Sequence, residues 1–238
     1  MENRIYYIDN FKSFIIFLVI VLHSSIIYMK NVPEWWYVID PSKNSLFSII
    51  VLMLNTFLMP AMFYASGIFT VSSIQKHSKY LFMLNKFKRL IIPWLIGIIF
   101  LAPIQIYFYC ITRNIKIDSL WQISFFFNGY QHCHYWFLSL LFFFFFISVI
   151  FFDYLRKIAD KTCNNPELYF IISNIIIYFL MNFLFDSEMW INFKILLFQP
   201  VKVIIYFNYF LIGMFYKDSI HIKDLNINTV FKKIGIIL

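Results

Sequence analysis

The chain has 238 residues, of which 61% are hydrophobic, 23% aromatic and only 13% charged, whereas soluble domains carry about 25% charged residues. This excludes a water-soluble domain and reads as one integral membrane domain, residues 1–238, with no Pro/Gly/Ser-rich linker to divide it. The net charge of +8 does not point to nucleic acid, because the lysines fall between apolar runs rather than on a clustered basic face.

A membrane-spanning helix needs about 20 largely apolar residues, and six runs meet that test: 11–29, 46–73, 90–112, 135–153, 168–185 and 195–216. A seventh begins near Thr229. The expected fold is therefore all-α, a polytopic membrane helix bundle of six spans plus the start of another. The closing "VFKKIGIIL" stops at Leu238, too short to cross, which favours a fragment of a longer protein over a tail lying on the surface.

With the N-terminus inside, fourteen Lys and Arg residues fall in cytoplasmic segments and five, Lys30, Lys43, Arg113, Lys116 and Lys194, in outer loops. That bias sets the N-terminus in the cytoplasm and the protein in the cell membrane as a multi-pass chain. Trp35, Trp36, Trp121, Trp136 and Trp190 fall near outer ends and Trp94 near an inner one, as an aromatic belt would. The three cysteines, Cys110, Cys133 and Cys163, form neither a disulfide framework nor a metal pattern.

The first run, "DNFKSFIIFLVIVLH" from Asp9 to His23, is interrupted by ionisable groups and is followed by no small-residue cleavage site, so it is not a signal peptide. Lys12 and His23 are eleven residues apart, which returns to within about 20° of one helix face and about 16 Å along the axis. Such a face offers a cation at the wet end for an anionic donor and an imidazole near mid-membrane for general-base work. Asp9 precedes Lys12 by one helical turn and can pair with it. Lys12 also fits a snorkelling anchor, and a lone histidine often only packs.

The long second run carries Pro60 and Gly67, where a kink or tilt is expected. In "NKFKRLIIPWL", Lys86, Lys88 and Arg89 precede a span with Pro93 in its first turn, where free N–H groups beside three cations suit a phosphate. Positive-inside anchoring explains the same cations. "HCHYWFLSLL" puts His132, His134 and Trp136 at an outer mouth, fitting a sugar platform or proton relay better than a metal site, with interface anchoring as the competing explanation. The run Phe142–Phe146 reads as lipid-facing or core bulk.

The order "YIDNFKSFIIFLVIVLH", "FLMPAMFYASGIF", "KFKRLIIPWL", "HYWFLSLL", "FNYFLIGMF" resembles the acyltransferase 3 family of multi-spanning membrane acyltransferases, most closely its glucan biosynthesis protein C branch. The resemblance matches the family's basic residue and histidine of the first span to Lys12 and His23, with lysine where arginine is usual. It matches the Ser-Gly of the second span to Ser66 and Gly67, the basic pair before the third to Lys86 and Arg89, and the His-Trp pattern of the fourth to His134 and Trp136.

What the resemblance implies is transfer of an acetyl or succinyl group from cytoplasmic acyl-CoA to a hydroxyl of an extracytoplasmic carbohydrate. No cofactor is held; acyl-CoA is the donor substrate, a glycan the acceptor and the lipid bilayer the surroundings. Lys12, Lys86 and Arg89 would take the CoA phosphates, and His23 would act as base or transient acyl carrier. His134 and Trp136 would hold the acceptor, and Asp9, Ser66 and Gly67 would support. A transporter or flippase for a glycan or lipid intermediate is the alternative, disfavoured by the lack of an internal repeat. An inactive truncated product is a third reading.

Overall fold

A computed structural model describes residues 6–33, 36–76, 78–116, 135–162, 166–186, 189, 191–192 and 197–219. Apolar residues dominate every long stretch, and in hydrocarbon only a helix or a closed barrel satisfies the backbone internally. The described residues accordingly form helices α1 (Tyr6–Ile26) and α2 (Ser45–Ile68, resumed after Phe69 as Thr70–Lys76). The continuous helix α3 (Lys79–Thr112) follows, then α4 (Trp136–Ile150), α5 (Phe152–Thr162), α6 (Pro166–Leu184) and α7 (Pro200–Ser219). A two-residue antiparallel ladder, β1 (Ile191–Asn192) with β2 (Leu197–Phe198), joins the last two helices.

Two helices, Ser45–Lys76 and Lys79–Thr112, are each long and apolar enough to cross a membrane. Trp136–Ile150 with Phe152–Ile158 makes a third if the pair, bent by 83°, is one span. The stretches Asn10–Ile26, Ile171–Leu184 and Pro200–Phe215 are apolar but shorter among the described residues. Of the six expected spans, the described residues thus show two, or three if the bent pair is one span, that are long and apolar enough to cross. The expected span 135–153 needs correction: the chain turns sharply after Ile150 into α5, whose sequence "FDYLRKIADKT" is amphipathic rather than apolar. The expected seventh segment near Thr229 lies outside the described residues.

The expected third span also begins earlier than its sequence suggested. α3 starts at Lys79, where the Ser78 hydroxyl accepts the Leu81 N–H, and Pro93 lies well inside it. A proline ring clashes with the carbonyl one turn back, and the helix widens before both of its prolines into π-helical turns, Phe87–Ile91 before Pro93 and Gly97–Leu101 before Pro103. The Ile92 N–H bonds the Phe87 carbonyl. That amide is used within the helix, so the proposed phosphate site loses its free helix N-terminus.

The core has two centres. Phe63 of α2 packs against Phe137 and Phe144 of α4 and stacks on Tyr206 of α7, at centroid distances of 4.9, 5.1 and 5.1 Å. The second centre joins Ile15, Leu22 and Ile26 of α1 to Leu58 of α2 and Trp36 of the intervening loop. α2 and α7 share the most extensive contact of the bundle, and glycine is the reason. A Cβ on Gly67 would run into the Phe210 carbonyl, and one on Gly213 into the Tyr64 carbonyl, so each helix lends the other a notch for its backbone. Outward faces carry Phe14, Phe17, Leu52, Ile172, Phe179 and Phe183, a surface suited to lipid rather than water.

Candidate functional site

α1 turns the stripe Ile15, Leu22 and Ile26 toward α2, and these residues are buried. Lys12 lies one turn before the stripe, and the half-buried His23 flanks it. The Lys12 ammonium rests 4.2 Å from the centroid of Phe69, the residue at which α2 breaks and resumes. On α3, the Lys86 ammonium lies 4.1 Å from the Phe145 ring and 5.1 Å from the Phe82 ring. Contacts of this kind contribute about 0.5–2 kcal/mol as desolvation increases. Lys86 feels the positive charges of both Lys12 and Arg89. The three cations singled out in the sequence therefore gather at one end of the bundle. Like charges held together without cost-free separation make that end receptive to a polyanion.

About 16 Å farther along α1, the Nδ1 of His23 lies 2.7 Å from the Val19 carbonyl oxygen. A carbonyl can only accept, so Nδ1 carries a proton and donates it, which in the uncharged tautomer leaves the lone pair on Nε2. This tautomer is the one a base acting through Nε2 requires. The His23 ring stands 5.6 Å from that of Trp36, which is 5% exposed. Trp36 is thus buried within the protein, in the loop that follows α1. Its carbonyl accepts from Arg113 Nη2 at 2.8 Å, and the Thr112 hydroxyl donates to the Tyr37 carbonyl at 3.3 Å.

α3 ends in a way that aims Arg113 at this loop. Asn114 adopts φ 53°, a left-handed conformation asparagine tolerates, and the Ile115 N–H returns to the Cys110 carbonyl. No local pattern marks Trp36 and Arg113 as neighbours, since they are 77 residues apart.

Ser66 donates from its hydroxyl to the Met62 carbonyl, and Gly67 forms the α2–α7 crossing. Trp136 stacks on Tyr206 at 6.1 Å and packs with the Phe63 centre, not with the His23 centre. Asp9 belongs to α1, but its side chain lies outside the described residues, as do His132, Cys133, His134, Trp35, Trp121 and Trp190.

No curated protein and no solved structure matches the chain. A family model described as an acyltransferase domain, acyltransferase 3, matches residues 5–238. With nearly the whole length covered, the chain belongs to the acyltransferase 3 family.

Proposed function

We propose that this chain is a membrane-bound O-acyltransferase of the cell membrane, with six spans and a cytoplasmic N-terminus. It moves an acetyl or succinyl group from cytoplasmic acyl-CoA to a hydroxyl of an extracytoplasmic carbohydrate. The observation that carries this reading is the pairing, along α1 and α3, of a gathered cation end with a histidine deeper in the bundle. Lys12, Lys86 and Arg89 bind the CoA phosphates, and the extended pantetheine arm reaches along α1 toward His23.

His23 Nε2 takes the proton of the acceptor hydroxyl as its oxygen attacks the thioester carbonyl. The carbon–sulfur bond breaks, the acyl group is now an ester of the acceptor, and the CoA thiolate leaves with the proton returned by His23. His134 and Trp136 serve the acceptor side, with Asp9 beside Lys12. The order of motifs supports the glucan biosynthesis protein C branch.

The test is acylation of glycan by membranes supplied with labelled acetyl-CoA or succinyl-CoA. His23→Ala abolishes label transfer while the protein stays in the membrane at wild-type abundance. Transfer retained by that variant would overturn the role of His23, and a wild-type protein that moves glycan without taking up label would be a transporter.

A further inference from the structure

The segment between α1 and α2 is a folded loop. Its ends are joined where the Asn44 N–H bonds the Tyr28 carbonyl at 3.0 Å. The Lys43 ammonium donates to the Ile27 carbonyl at 3.2 Å, and the Ser48 hydroxyl accepts the Lys30 N–H at 3.0 Å. Compact loops with adjoining ends and packed interiors are frequent bearers of function. Among the described residues of this loop the most deeply buried side chain is Trp36, set against His23 and within the cluster of Leu22, Ile26 and Leu58. The loop does not hold that position alone, because Arg113 at the end of α3 grips the carbonyl of Trp36, while the neighbouring Thr112 hydroxyl divides its single proton among the Phe108, Tyr109 and Tyr37 carbonyls. A charged donor on a carbonyl is among the stronger neutral-acceptor hydrogen bonds.

We infer that Trp36, pinned by Arg113, is a positioning residue for His23 and that the α1–α2 loop is the wall closing the His23 site on that side. This rests on the acyl-transfer reading for its catalytic consequence, though not for its geometry. The Val19 carbonyl fixes one edge of the imidazole, and the indole occupies the space into which the ring would otherwise rotate. Together they set the direction of Nε2. The same indole keeps water from the thioester, which hydrolysis would otherwise consume. Arg113 acts through Trp36 and touches neither donor nor acceptor.

The experiment reads His23 directly, in membranes containing the full chain, by site-resolved mass spectrometry after timed exposure to diethylpyrocarbonate. His23 in the wild type is modified slowly. Trp36→Ala and Arg113→Ala each raise its rate about tenfold by opening the wall, Trp36→Phe stays near wild type, and the rates at His77, His132, His134 and His221 do not change. Equal His23 rates in wild type, Trp36→Ala and Arg113→Ala overturn the inference. Should Trp36→Ala fail to fold, seen as changed rates at all histidines, Arg113→Ala and Arg113→Lys decide alone, Arg113→Lys falling between Arg113→Ala and wild type.

In the acyl-transfer assay, Arg113→Ala lowers kcat about tenfold or more through misplacement of the base and leaves KM for acyl-CoA unchanged, because the cation end is remote. A raised KM with intact kcat overturns the positioning role. The two readings fail separately: a wild type that transfers no label leaves the diethylpyrocarbonate pattern to stand or fall by itself. Transfer that persists with uniform histidine rates removes the wall and keeps the enzyme.

Discussion

Lys12 and Lys86 each lay an ammonium over an aromatic ring, Phe69 in one case and Phe145 in the other. A ring face attracts a cation without forming an ion pair with it, so neither contact ties the ammonium to a carboxylate that an incoming phosphate would have to displace. The charge and its placement matter more than the donor fork, which lysine lacks. For that reason Lys12→Arg keeps acyl-CoA affinity or improves it, while Lys12→Ala weakens it about tenfold, as loss of a charge-assisted contact does. Equilibrium binding of CoA to the purified variants checks this, and equal affinity for all three proteins would end the electrostatic argument. That Lys12 and His23 belong to one helix was legible from sequence, where the apolar run is local and spacing relates their faces. Trp36 was not, because its burial depends on a hydrogen bond from a residue on another helix. A tryptophan next to a predicted span reads as a belt residue until that partner is known.

Helices show the same division between what is local and what is tertiary. The apolar runs announced where helices lie, and α1, α2, α6 and α7 fall close to the expected ranges. The start of α3 is hidden in the sequence because proline favours a first turn, whereas here two π-helical turns carry Pro93 and Pro103 inside one long helix. The bend after Ile150 was likewise hidden, since Phe151 and Phe152 continue the apolar run that the backbone abandons. Gly67, singled out as a family motif, takes its physical meaning from Gly213, and no local pattern couples the two. Because each glycine faces backbone rather than a yielding side chain, Gly67→Ala and Gly213→Ala each destabilise by about 1–3 kcal/mol. The double variant costs no more than slightly above the worse single one, since α2 and α7 separate only once. Thermal unfolding of the detergent-solubilised proteins measures both statements; unchanged midpoints would mean that the helices do not approach so closely.

At the scale of the molecule, the ionisable residues divide between two ends. Lys12, Lys86 and Arg89 share one end. It is tied together by the pair of Lys79 and Asp153 at 3.5 Å, which joins the start of α3 to the start of α5. The other end holds Lys43 on the Ile27 carbonyl and Arg113 on the Trp36 carbonyl. An acyl-CoA donor is cytoplasmic, so the cation end must face the cytoplasm for the proposed reaction to run, and the excess of Lys and Arg there favours the same orientation. Substrate supply and membrane insertion constrain the orientation independently. They converge on a topology that single cysteines can read. In a chain whose three cysteines are replaced by alanine, Ser42→Cys in the exposed α1–α2 loop reacts with a membrane-impermeant maleimide in intact cells. Gln75→Cys, exposed near the end of Thr70–Lys76, reacts only after the membrane is permeabilised. The reverse pattern would place Lys12, Lys86 and Arg89 away from the donor and leave the cation cluster without acyl-CoA to bind. The proposed reaction could then not proceed, even with every side-chain contact around His23 intact.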